Sequence, residues 1–304
     1  MQPNQAKPCL IAVMSLFLVL DTAVIAARVY VRAIMIRAFG WDDAALCLAY
    51  VGFATACIMG FTALHFGYAS DEGPAPAGYH YDQHKAQTFL YANQLALYLA
   101  SGLAKLGVAL VLWRLAVTRR FRLVLAVSVA VVLAWTFTTT LFAAWLCTTD
   151  TGSASYVSSA TCTAVGLFRT VSNIFIDYFY ALVPIPIVRG ARMDARTKVV
   201  VCVLLGLGLF ASAATIAKLV IIVQLSTADR GAQQPLHHQL LIWADVELGL
   251  AVFCASAAAL RPLLNRSPLV WGTPTAATGD SSHTYVASPR VPPAVSLVSL
   301  EDRR

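Results

Sequence analysis

The sequence predicts an all-α polytopic membrane protein, a bundle of seven transmembrane helices with the N-terminus outside and the C-terminus cytoplasmic. Three observations carry this reading. Seven apolar stretches fill the chain from Leu10 to Leu260, each near the roughly 20 residues a helix needs to cross hydrocarbon. Hydrophobic residues make up 59% of the 304 and charged residues 12%, too few charges to clothe a soluble surface. Lys and Arg gather on one side of the stretches, and that bias sets direction. Helices and closed barrels alone satisfy their backbone hydrogen bonds in lipid.

In chain order the spans read Leu10–Tyr30, Ala44–Leu64, Phe89–Trp113, Leu123–Leu146, Val165–Val188, Val199–Gln224 and Leu240–Leu260. The loops between them are short, so residues 1–264 form one bundle, and no internal repeat interrupts it. Arg28, Arg32 and Arg37 lie at and just past the end of the first span, and Arg114, Arg119, Arg120 and Arg122 lie between the third and fourth. Arg189, Arg192, Arg196 and Lys198 lie between the fifth and sixth, and Arg261, Arg266, Arg290, Arg303 and Arg304 follow the last. These sixteen share one side, against Lys7, Lys85 and Arg230 on the other. The basic side is cytoplasmic by the positive-inside rule. The net charge of +7 then needs no nucleic acid as partner; the bilayer is the partner, and the basic loops can also meet anionic lipid. Arginines rather than a small-residue cleavage site follow the first apolar run, so that run is expected to insert as an anchor.

Residues 265–304 change to Pro, Ser, Thr, Gly and Ala without periodicity. Such a segment cannot bury a core and is expected to be a disordered cytoplasmic tail. Of seven cysteines, Cys47, Cys57, Cys202 and Cys254 fall inside spans, where thiols act as small hydrophobes. Cys147 and Cys162 flank an outer loop, on the oxidising side of the secretory pathway, and a disulfide between them is expected. Cys9, at the outer edge of the first span, is a rival partner, and two free thiols are the remaining alternative. Five histidines fall at the outer face. His80 and His84 have metal-ligand spacing, but the Pro- and Gly-rich run before them argues for solvated loop residues, and no metal site is expected.

The spans also carry ionisable groups, which are costly in lipid and usually mark function. An outer tier holds Arg169, Lys218, Asp245 and Glu247, and a middle tier holds Asp21, Lys105 and Asp177. Each tier mixes signs, so pairing is available. Arg169, Asn173 and Asp177 are spaced four apart and climb one face of a helix, which must point inward. Asp245 and Glu247, two apart, cannot face the same point. Mutual pairing that fixes helix register would account for all of these groups. A ligand or ion site is the rival account, and two tiers along one cavity favour it.

At Gly40-Trp41-Asp42-Asp43, after Arg28 and Arg32, the chain resembles the fungal rhodopsin-like integral membrane family. Tyr98, Lys105 and Arg114 resemble its third-helix pattern, and Cys147 and Cys162 its two outer-loop cysteines. Asn173, Asp177, Pro184 and Lys198 resemble its fifth helix and following loop. Trp243, Glu247, Arg261 and Pro262 resemble its seventh helix and exit. Lys218 stands where relatives more often carry arginine, and the proline and tryptophan expected after the first outer cysteine are missing. On physical grounds Asp42 and Asp43, at the start of a helix, cap free N–H groups and suit the helix dipole. That structural role suffices, and no catalytic residue is assigned.

Retinal proteins hold the chromophore on a lysine of the last helix. Leu240–Leu260 contains no lysine, so no retinal and no other cofactor is expected. Two classes of function remain. The first is a receptor-like sensor of an extracellular or lipid-soluble cue, with a small-molecule ligand and a cytoplasmic signalling protein at the basic loops. The resemblance implies the same class. The alternative is an intramembrane enzyme or transporter working through buried carboxylates. No nucleophile–base pair or phosphate loop is present, and inverted repeats are lacking. The expected location is a plasma membrane or endomembrane.

Overall fold

The computed structural model describes residues 3–68, 82–115, 119–149, 160–182, 213–225, 227, 230–257 and 260, all within the compact unit Met1–Arg266. The expected tail 265–304 lies outside them, as do His80, Pro184, Lys198, Cys202, Arg261 and Pro262.

Among the described residues there is no strand. The helices among the described residues are, in order, α1 Pro3–Val29, α2 Trp41–His65, α3 Gln83–Leu115, α4 Arg119–Thr149, α5 Ala160–Leu182, α6 Ala213–Leu225 and α7 Arg230–Ala257. Five stretches, Lys7–Met35, Trp41–His65, Gln83–Arg114, Arg119–Trp145 and Pro235–Ala257, are long and apolar enough to cross a membrane. α5 spans 23 residues and carries Arg169 and Asp177. Of the expected span Val199–Gln224, the described part begins at Ala213.

Helix ends depart from the expected spans for local reasons. α3 begins at Gln83 rather than Phe89, because Asp82 caps it. The Asp82 carboxylate accepts the Lys85 amide at 3.1 Å, and the Asp82 carbonyl accepts the Ala86 amide at 2.9 Å. His84 is therefore helical. α4 runs through Cys147 to Thr149 and α5 begins at Ala160, before Cys162, so the two cysteines sit on the helix ends that flank residues 150–159. Their side chains lie outside the described residues, and with them the expected disulfide.

α1 continues into a π-helical stretch, Tyr30–Met35. Arg37 then turns left-handed at φ 53°, and the Ala38 amide reaches back to the Arg32 carbonyl at 3.0 Å. That closure spans one residue more than a Schellman bond, and like it uses a left-handed residue to satisfy an orphan carbonyl. Gly40 is extended (φ −124°, ψ 176°) and opens α2. Its amide donates to the Asp43 carboxylate at 3.0 Å, the backward half of a capping box.

The interior is built where α1, α2, α3 and α7 meet. Leu10, Met14, Phe53, Leu97, Leu248 and Val252 form its centre. Small residues set the α2–α3 spacing: a Cβ on Gly52 would stand 3.0 Å from the Cβ of Ala100. Close approach over small residues is how helices gain packing in lipid, where water drives nothing together. Large apolar side chains instead face outward, among them Leu16, Val19, Ile34, Ile58, Val127 and Phe137. Charged groups are inside: Asp21, Arg28, Asp43 and Asp245 are all 0% exposed. Apolar outside with ionic inside is the distribution a bilayer selects.

Candidate functional site

Two ionic assemblies lie inside the bundle. The first is a clasp at the end where α1 leaves and α2 enters. Arg28 and Arg32 are four residues apart on one face, and both meet the paired carboxylates of α2. Arg28 Nε donates to Asp43 at 2.7 Å and Nη2 donates to Asp42 at 3.0 Å. Arg28 Nη1 donates to the Ala255 carbonyl at 2.8 Å, one of the last carbonyls of α7, which lack helical donors. One guanidinium thus ties three helices. Arg32 stands 3.6 Å from both Asp42 and Asp43, and Arg114, at the end of α3, 3.9 Å from Asp42. Trp41, between Gly40 and the carboxylates, is 85% exposed. Of the Trp41-Asp42-Asp43 motif, Asp43 caps the Gly40 amide and also pairs with Arg28.

The second assembly crosses the middle of the bundle. Lys105 on α3 pairs with Asp177 on α5. Asn173, one turn earlier on α5, donates to Asp177 at 3.4 Å and also to Glu247 on α7. Glu247 in turn pairs with Lys218 on α6 at 2.9 Å. A carboxamide nitrogen carries two hydrogens, which is what bridging two carboxylates requires. The result is one chain, Lys105–Asp177–Asn173–Glu247–Lys218, joining four helices. It links the outer and middle tiers that the sequence separates. Such charge-assisted bonds are the strong ones, and each partner offsets a burial that would otherwise be costly.

Arg169 stands one turn beyond Asn173. Its Nη1 donates to the Thr139 hydroxyl and its Nη2 to the Tyr98 carbonyl at 3.1 Å. The guanidinium lies over the Tyr98 ring, 3.8 Å from the centroid, a cation–π placement. Gln94 donates to the Tyr98 hydroxyl at 3.0 Å and holds that ring in turn. Among the described residues no carboxylate lies within ion-pair distance of Arg169.

A cavity of about 160 Å³ opens beside these groups. It extends from Tyr68, Leu225 and His237, at the end away from the clasp, to Asn173 and Glu247. Leucines and Ile222 share the wall with polar side chains, among them Gln94, Ser101, Thr170, Arg169 and Lys218. Gly166 also lines it, and a Cβ there would meet open space. At about 150 Å³ an engineered protein cavity holds a benzene ring, so this one has room for a small organic molecule. Among the described residues no cluster of metal-ligating side chains occurs.

Asp21 and Asp245 depart from the expected pairing. All four of their carboxylate oxygens lack a hydrogen-bond partner among the described residues, as do both amide atoms of Asn93. Neither aspartate lines the cavity. Asp245 and Glu247 take different sides of α7, and only Glu247 reaches the charge chain. The geometric reason is the two-residue spacing, about 200° around a helix.

Sequence reasoning did not find Tyr98, Thr139 and Gln94 as the holders of Arg169, because a carbonyl and a ring face leave no signature in residue type. The clasp was legible in principle: two arginines at helical spacing precede two adjacent aspartates. Outside the spans, Asp82 is held below its ordinary value, chiefly by the Lys85 amide and then by the Lys85 ammonium.

No match to the chain was found among curated proteins or among solved structures. The model of the fungal rhodopsin domain matches residues 27–266. That region begins one residue before Arg28 and holds the whole clasp, the whole charge chain and every residue of the cavity wall. A match over most of the chain, in a helical bundle whose interior is ionic, places it: this is a membrane protein of the fungal rhodopsin domain family.

Proposed function

We propose that this protein is a multi-pass, seven-span sensor of a small extracellular or lipid-soluble molecule, with its N-terminus outside and residues 265–304 as a cytoplasmic tail. The observation that carries this is the cavity beside the charge chain. A molecule seated there would touch α3, α5, α6 and α7 at once. By changing which carboxylate each lysine prefers, it would bias the relative positions of four helices, and a ligand shifts an equilibrium only through such differential contacts. The basic loops at the opposite end are the surface for a signalling partner.

The test is a small-molecule thermal-shift screen on the purified full chain in lipid nanodiscs, repeated on Gly166→Phe. The phenyl ring would fill the cavity from a position with open space around it. Ligands that stabilise the parent by RT ln(1 + [L]/Kd) and fail on the variant support the reading. Equal stabilisation of both would refute it.

Light sensing is not part of this reading. α7 offers no lysine, and Lys218 on α6 is held by Glu247. Incubation with retinal should produce no visible absorbance band, and a band that appears would overturn that exclusion.

Transport or intramembrane catalysis is the second reading. The unbroken chain from Lys105 to Lys218 favours it, because linked carboxylates and amines are what proton relays use. Reconstituted vesicles separate the two. A ligand that binds without net flux or turnover supports sensing, and flux lost in Glu247→Gln supports transport.

A further inference from the structure

The cavity is unbalanced in charge. Lys105 is matched by Asp177 and Lys218 by Glu247, and Asn173 donates to both carboxylates. Arg169 is left over. Its partners are a hydroxyl, a carbonyl and a ring face, all neutral. Asp245, the next carboxylate along α7, does not line the cavity. Among the described residues that line the cavity, two cations, Arg169 and Lys218, therefore meet one carboxylate, Glu247. An uncompensated charge at membrane depth is costly, and buried charges are ordinarily paired. A guanidinium presents a planar fork suited to carboxylate, and its neutral contacts at Thr139 and Tyr98 occupy only part of it.

Away from the polar partners of that cation, much of the wall is apolar. Leu90, Leu97, Ile222, Leu225 and Leu241 border the cavity. A ligand that fits both features has an anionic head and a compact hydrocarbon body. We infer that the cavity takes a small amphipathic monoanion of the carboxylic acid type, its head seated on Arg169 near Lys218 and its body against the leucine and isoleucine wall. This rests on reading the cavity as a ligand site. It adds the charge, size and head-group chemistry of the ligand.

Benzoate, benzyl alcohol and benzylamine share a ring of suitable size and differ in head charge. Binding of each to the full chain in nanodiscs of zwitterionic lipid is to be measured by saturation-transfer NMR at neutral pH. Benzoate is expected to bind at least about tenfold more tightly than either of the others, a gap of about 1.4 kcal/mol. Arg169→Lys should retain part of that preference, and Arg169→Met should abolish it while leaving benzyl alcohol bound. If Arg169→Met fails to fold, the order of the three probes on the parent chain decides alone. Gly166→Phe should exclude all three.

Equal binding of the three probes on the parent chain, lost in Gly166→Phe, would overturn the anion inference and leave the ligand cavity standing. Absence of any probe binding, or binding indifferent to Gly166→Phe, would overturn both. Adding anionic lipid to the discs identifies the source. Loss of benzoate binding would assign the anion to a lipid headgroup, and unchanged binding to a free acid.

Discussion

Arg28 has 0% of its side chain exposed, and it faces Asp43, also 0% exposed. Removing a partner from a buried ion pair leaves a bare charge, which costs about 3–5 kcal/mol. Arg28→Met is expected to destabilise the protein by that order, read as a lower melting temperature in detergent. Arg28→Lys should recover little, because a point charge cannot serve Asp42, Asp43 and the Ala255 carbonyl together. Asp245 is the opposite case. Its carboxylate has no hydrogen-bond partner among the described residues, and an unsatisfied buried polar group costs about 1–3 kcal/mol. Asp245→Leu should therefore raise the melting temperature, and a clear drop would mean that the carboxylate holds a partner. Asp82 gives the pH test. Its native value is lowered below the ordinary 3.8, so its capping is present above that pH and is lost as pH falls through the lower native value. A fall in the protection of the Lys85 amide, relative to its intrinsic exchange rate, as pH drops below 3.8, with Ser128 unaffected, would confirm it.

Helices α3 and α5 are joined by Lys105 and Asp177, and the pair can be dissected. Lys105→Met leaves Asp177 bare, and Asp177→Leu leaves Lys105 bare. Each should destabilise by about 3–5 kcal/mol, whereas the double variant should be much nearer the parent, because replacing both buried ions by apolar groups is often neutral. Strict additivity of the two single losses would mean that the residues do not interact. The polar face of α5 was readable, since Arg169, Asn173 and Asp177 recur every four residues and only one direction from a helix avoids lipid. Asn173 as the bridge between Asp177 and Glu247 was not readable. Its second acceptor comes from α7, and periodicity on one helix says nothing of what its neighbour presents. The vacancy of Asp21 was hidden for the same reason: mixed signs at one depth permit pairing without placing the partners on facing sides.

For the whole molecule, hydropathy marked the five described stretches that are long and apolar enough to cross a membrane, because a bilayer demands long apolar runs and closed hydrogen bonding. The ends were less legible, since Asp82 and the turn at Arg37 act through backbone geometry that residue type barely marks. Direction is the remaining question, and the clasp bears on it. Arg28 and Arg32 are both engaged by Asp42 and Asp43, which lowers the net charge at that end. The positive-inside rule counts Lys and Arg near the span ends and gives acidic residues little weight. The bias of sixteen to three therefore survives the pairing, and the clasp end is expected in the cytoplasm. A tag after Arg304 should resist protease added to sealed vesicles whose cytoplasmic face is enclosed, and become sensitive once detergent opens them. A tag before Met1 should show the reverse. If the Arg304 tag is digested before detergent, then the acidic pairs have cancelled the arginines beside them. The cavity end would in that case face the cytoplasm, and the cue would have to come from inside the cell.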